Sequence, residues 1–202
     1  MKVSEVFRSI QGEGKRQGRP CTFIRFAGCN LRCSWCDTPH ARTGGTEMDE
    51  EEIASRVREL KGTYLCITGG EPLLQGRSLL SLLMSLHAEG YLIDIETNGT
   101  IDFSPFQDCA GICMDVKCPS SGEESDLSLL SRITPEDSVK FVVSDLADCE
   151  YAARVLETHP VMGEVLFSPV EGSDAHAVAS FLIGRDLPAR LQLQLHKTLG
   201  VR

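Results

Sequence analysis

The chain lacks an excess of positive charge: 20 Lys and Arg stand against 29 Asp and Glu, a formal net charge of −9. A nucleic-acid footprint needs a basic face, so nucleic acid is set aside as a partner. A long apolar run is also missing. The richest stretch, residues 79–86, is too short and carries serines, so no membrane contact is expected. Residues 1–6 lack the apolar core of a signal peptide, and a cytoplasmic protein is expected. No internal repeat and no linker divides the 202 residues, which are read as one domain, 1–202, long enough to bury a real core. No G-x-G-x-x-G follows the first strand pattern, which weakens the case for a doubly wound dinucleotide-binding sheet. The cysteines number nine; an odd count without an export signal favours a reducing compartment and metal ligation over disulfides.

Sulfur is concentrated in one place, Cys29–Asn30–Leu31–Arg32–Cys33–Ser34–Trp35–Cys36, with C-x3-C-x2-C spacing. Structural zinc takes four ligands, and no second C-x2-C offers the fourth. Three thiolates suit a [4Fe–4S] cluster, which takes one thiolate per iron, and the iron left over can bind a substrate or cofactor. The bland alternatives are half a zinc site and loop cysteines with no role. Of the other six, Cys66 sits in a buried strand pattern, a usual place for a free thiol. Cys109, Cys113 and Cys118 span a predicted strand that would hold them apart, which argues against a second cluster.

Apolar patterning predicts strands over residues 3–10, 21–26, 64–67, 91–95, 112–116, 139–143, 165–167 and 191–195. Helices are expected to run to Gly62 from a loose capping box at 46–49, and over 79–89, 147–156 and 175–183. Residues 118–126 read as a polar loop, mobile or ordered by ligand. Alternating strands and helices imply parallel strands with right-handed crossovers. From Thr68 onward, polar groups stand at strand ends: Glu96, Asp115, Lys117, Ser168 and His196. That rim is where β/α barrels build their sites. A full barrel needs about 250 residues, so an α/β fold with a partial, opened, TIM-like β/α barrel is expected. Taken singly, each of these residues is equally a solvated strand terminus, and Gln11–Gly12–Glu13–Gly14 an ordinary hairpin turn.

The three-cysteine loop, with an aromatic residue just before its last Cys, resembles that of the radical S-adenosylmethionine (SAM) superfamily. More of the chain is similar to one family within it, the 7-carboxy-7-deazaguanine synthases. The resemblance runs through Phe7–Arg8–Ser9–Ile10–Gln11–Gly12–Glu13–Gly14, Cys33–Ser34–Trp35–Cys36–Asp37–Thr38, Thr68–Gly69–Gly70–Glu71–Pro72–Leu73–Leu74–Gln75 and Gln194–Leu195–His196–Lys197. It implies a lyase of 7-deazapurine (queuosine precursor) synthesis, which turns 6-carboxy-5,6,7,8-tetrahydropterin into 7-carboxy-7-deazaguanine with loss of ammonia. A 5′-deoxyadenosyl radical would take hydrogen from C6 of the pterin, and SAM would be regenerated.

The same resemblance implies site residues. Cys29, Cys33 and Cys36 would hold the [4Fe–4S] cluster, and Thr38 a Mg²⁺ ion. Trp35, Cys36, Asp37, Gly70, Asp115, Val116, Lys117 and Ser168 would contact SAM. Ile10, Gln11, Gly12, Glu13, Arg25, Thr68, His196 and Arg202 would contact the pterin, Arg202 through the end of the chain. An electron donor such as flavodoxin and a homodimer are further implications. Two other readings stand beside it: a radical SAM activase acting on a partner protein, against which the tight Gln-Gly-Glu-Gly turn and short chain argue, and a zinc-binding interaction module.

Overall fold

Strand and helix patterns assemble into one mixed sheet in the structure, a computed structural model that describes residues 1–201. The strands are β1 (Lys2–Ile10), β2 (Pro20–Phe26), β3 (Thr46–Glu47), β4 (Tyr64–Gly69), β5 (Leu92–Thr97), β6 (Gly111–Lys117), β7 (Ser138–Val143), β8 (Glu164–Pro169) and β9 (Arg190–Leu191). Their order in the sheet is β3-β1-β2-β4-β5-β6-β7-β8-β9. β1 runs antiparallel to both its neighbours, and from β2 onward every adjacent pair is parallel. The sheet does not close, and its two outermost strands are two residues each. This is the partial, opened, TIM-like β/α barrel that the sequence leads us to expect.

The helices are α1 (Glu50–Glu59), α2 (Gly76–Ala88), α3 (Leu146–Thr158), α4 (Ala175–Arg185) and α5 (Leu195–Leu199). α2 shows why they pack as they do. Its buried Leu79, Leu82, Leu83 and Leu86 recur at helical spacing and join a core with Phe26, Ile67 and Ile95. Each leucine gains roughly 1.5–3 kcal/mol from burial. The links from β5 to β6 and from β6 to β7 hold only 3₁₀ turns, at Ser104–Phe106, Pro119–Ser121 and Leu127–Arg132. No helix among the described residues is long and apolar enough to cross a membrane.

Several expected elements change. The capping box lies one turn later than 46–49: Asp49 caps α1, its side chain accepting from the Glu52 amide while Glu52 accepts from the Asp49 amide, and Thr46 belongs to β3. The predicted strand over 191–195 is only Arg190–Leu191, and His196 stands in α5, not at a strand end. The alternation of Leu191, Leu193 and Leu195 misled, because Leu193 is exposed and has no sheet to face. Residues 118–126 are ordered by the chain itself, through hydrogen bonds to the loop after β2 and to Asn98.

Candidate active site

The carboxyl ends of the parallel strands open on a cleft of about 580 Å³. Its SAM-side wall starts where β2 hands the chain to residues 27–38. The Gly28 amide donates to the Ala41 carbonyl (2.8 Å), and the Gly28 carbonyl accepts from the Glu71 amide (2.8 Å). The Gly70 amide donates to the Phe26 carbonyl (3.1 Å). The loop's far side is tied to 118–126: the Ser34 amide donates to the Ser121 carbonyl (2.9 Å), and Trp35 Nε1 donates to Ser120 Oγ (3.0 Å). Asn98 Nδ2 donates to Asn30 Oδ1 (3.0 Å). Glu71 is fully buried and accepts from the Asn98 amide, the Leu73 amide and Thr97 Oγ1, so it knits β4, β5 and the turn beneath the loop.

Cys29, Cys33 and Cys36 are free, half-buried thiols that line the cleft. Among the described residues, no three His, Cys, Asp or Glu side chains converge on a single ion. Three thiols are one short of the four ligands of structural zinc and suit a cluster that takes one thiolate per iron. Thr38 opens the 3₁₀ turn Pro39–Arg42 and lines the cleft, yet its hydroxyl makes no capping hydrogen bond.

The opposite wall is β1 and the turn that follows. Gln11 and Glu13 are buried, with Gln11 Nε2 donating to Glu96 Oε1 (3.3 Å). Glu13 pairs with the Lys140 ammonium and accepts a hydrogen bond from Gln194 Nε2 (2.7 Å). Burial alone would raise the Glu13 carboxyl, but Lys140 and these hydrogen bonds hold it well below the usual range. Burial pushes the Glu96 carboxyl up instead. Lys117 lies 3.0 Å from Asp115 Oδ2, and Lys140 lies 3.8 Å from the same oxygen. Asp115 Oδ1 is buried with no hydrogen-bond partner among the described residues, which leaves an acceptor facing a polar ligand.

Phe7 and Phe23 stack at 5.0 Å between ring centroids and make a flat apolar wall. Arg25 lies over Phe7, with its Nε on Glu5 Oε1 (2.8 Å). His196 packs on Gly12, where a β-carbon would come within 2.7 Å of the ring Cγ. Burial lowers the imidazole's pKa against the opposing pull of Glu13.

Cys29, Cys33, Trp35, Cys36, Asp37, Thr38, Gly70, Asp115, Lys117, Ile10, Gln11, Gly12, Glu13, Arg25, Thr68 and His196 thus line one cleft. Val116 does not; its side chain is buried in the core on the other face of β6. Ser168 is also fully buried away from the cleft lining, and its Oγ has no partner among the described residues. Arg202 lies outside the described residues. Lys140 was missed, although a signal was present: one lysine interrupts an otherwise apolar run in a strand that is buried throughout.

Comparison with known proteins agrees with this geometry. A family model described as the Radical SAM superfamily matches residues 23–110. A 7-carboxy-7-deazaguanine synthase of Methanospirillum hungatei is 50% identical over 201 residues, covering 100% of this chain and 86% of the relative. One from Koribacter versatilis is 39% identical over 98% of this chain and 96% of its own length. The crystal structure of QueE from Escherichia coli superposes with a TM-score of 0.78 at 25% identity, over 96% of this chain and 94% of that one. With full-length relatives at this identity, and with its thiol loop and buried Gln-Gly-Glu-Gly turn facing each other across one cleft, the chain belongs to the 7-carboxy-7-deazaguanine synthase family of the radical SAM superfamily.

Proposed function

We propose that this chain converts 6-carboxy-5,6,7,8-tetrahydropterin to 7-carboxy-7-deazaguanine with release of ammonia. The observation that carries it is the cleft itself: a three-thiol loop on one wall, and on the other a buried set of amide, carboxylate and ammonium groups sized for a flat heterocycle. When bound, the cluster and SAM supply radical abstraction of one hydrogen atom from the pterin. Everything else falls to the chain.

Cys29, Cys33 and Cys36 hold the cluster. Trp35, Cys36, Asp37, Gly70, Asp115 and Lys117 make the SAM side; Val116 would reach it only through its backbone, and Ser168 lies behind the lining. The orphan Asp115 oxygen suits a ligand hydroxyl or ammonium. Thr38 offers an uncommitted hydroxyl to Mg²⁺, a hard cation that accepts few protein ligands.

On the pterin side, Ile10, Gln11, Gly12 and Glu13 face the amide and amino edge, against Thr68. Arg25 keeps guanidinium N–H groups for the pterin carboxylate beyond the one given to Glu5. His196, whose imidazole pKa is lowered by burial, accepts a proton or hydrogen bond over Gly12.

The chain works as one domain, 1–202, in the cytoplasm, with a low-potential donor such as flavodoxin supplying the electron. An open barrel leaves sheet edges to cover, which favours a homodimer. The test is an anaerobic assay of cluster-loaded protein with SAM, a chemical reductant and the carboxypterin. Deazaguanine formation is expected without net loss of SAM, and alanine at any of Cys29, Cys33 or Cys36 should abolish it. Cleavage of SAM with the pterin untouched would refute the assignment.

A further inference from the structure

We propose that Lys140 is a positioning residue for the pterin: seated between Glu13 and Asp115, its ammonium holds the Glu13 carboxylate at the cleft as a charged acceptor for the substrate's amide and amino edge. The inference rests on the reading of Glu13 as a pterin contact.

Lys140 sits mid-strand in β7, where all six residues are buried, and is 5% exposed. A lone ammonium there would cost several kcal/mol, so its partners define it. They come from separate elements: Glu13 from the turn after β1, and Asp115 from β6. Asp115 also pairs with Lys117, so the chain Glu13–Lys140–Asp115–Lys117 runs from the pterin wall to the SAM wall. Stability alone does not call for such a string, because well-packed apolar side chains are commonly as stable as a buried ion pair. All four residues line the cleft instead of the core.

The other ionisable groups facing the pair are Glu96 on β5, Cys113 on β6 and His196 on α5. Of the two carboxyls at the pterin wall, Glu13 is held down by Lys140 while burial pushes Glu96 up. Glu13 is therefore the charged acceptor at this wall, and a heterocycle edge carrying N–H donors is complementary to it.

Equilibrium binding of the fluorescent analogue 6-carboxypterin tests this, using anaerobic, cluster-loaded protein with SAM and no reductant. Wild type should bind with little pH dependence from mildly acidic to mildly alkaline conditions. Lys140→Met should bind about tenfold more weakly or worse at neutral pH. That loss should shrink as pH rises, because Glu13 without its cation is lifted by burial and regains its charge as the pH increases. Lys140→Arg should restore most of the affinity and the flat profile.

Glu13→Gln should weaken binding by about as much without pH dependence, and adding Lys140→Met to it should change little, since the two residues act as one unit. Wild-type affinity and profile in Lys140→Met would overturn the inference while leaving the Glu13 reading intact. Wild-type affinity in Glu13→Gln would overturn that reading itself. If Lys140→Met alone does not fold, Glu13→Gln and the double variant decide: equal affinities support the inference, and a further tenfold loss in the double variant refutes it.

Discussion

At Gly70 the chain has no room for a β-carbon. A methyl there would sit 2.7 Å from Cys29 Cβ and closer still to the Gly28 carbonyl oxygen. Glycine at this position allows close backbone approach, and what approaches is the protein's own cysteine loop. Gly70→Ala must push back the backbone that sets Cys29. Overpacking of this kind costs about 1–3 kcal/mol. For about 200 residues that lowers Tm by roughly 2–12 °C. Iron bound per chain and the visible absorbance of the loaded protein should fall with it. Gly184→Ala in α4 is the control, since a β-carbon there meets nothing and the backbone is helical. It should leave iron content unchanged and be neutral to slightly stabilising, by up to about 1 kcal/mol. Full wild-type iron in Gly70→Ala would show that the loop does not depend on this contact.

Among elements, the loop after β2 and residues 118–126 hold each other, and α3 holds the second. Asp148, in the first turn of α3 and 1% exposed, accepts from the Ser120 amide (3.1 Å), Ser120 Oγ and the Ser144 amide (2.8 Å). Ser120 Oγ in turn accepts from Trp35 Nε1, so a helix terminus orients the aromatic wall of the SAM side. Trp35 is the only tryptophan in the chain, so indole fluorescence comes from this position alone. Ser120→Ala removes the indole's acceptor at a cost of about 1 kcal/mol. The emission should shift to the red and become more accessible to acrylamide, with far-UV circular dichroism unchanged. Unaltered emission would mean that Trp35 is positioned by its other contacts, the Lys117 ammonium over its ring among them.

The cysteine loop was legible in the sequence because its signal lies within eight residues. Asp148 was not, because it reads as an ordinary acid at a helix start and its partner Ser120 lies 28 residues away. The same holds more strongly for Lys140 and Glu13, which are 127 residues apart. The pattern at 191–195 failed for another reason: alternation identifies a strand only where a sheet edge exists to receive it.

For the molecule as a whole, the open sheet raises the question of what keeps its two ends together. No strand pairs β9 with β3, yet the segment after β9 meets the turn after β1 through side chains. Gln192, 2% exposed, accepts from the Gly14 amide (2.8 Å) through Oε1 and donates to the Gly14 carbonyl (2.9 Å) through Nε2. One side-chain amide thereby imitates the paired hydrogen bonds of a β-ladder. The Leu195 amide donates to the Gly12 carbonyl (3.1 Å), and Gln194 reaches Glu13. These contacts brace the residues that form the pterin wall, while the SAM wall is braced independently by Glu71, Ser120 and Asn98. Gln192→Ala leaves the buried Gly14 amide unsatisfied, at about 1–3 kcal/mol, and takes from the Gly14 carbonyl its shortest hydrogen bond, leaving the longer ones from the Gln17 amide and Arg190. Hydrogen exchange should therefore quicken selectively over residues 11–18 and 192–199, and affinity for 6-carboxypterin should fall by about tenfold or more. Affinity for SAM should stay within about twofold, because no bond lost in this variant touches that wall. Equal losses for both ligands would mean that the open barrel moves as a single unit, with the two walls coupled through the sheet instead of braced separately.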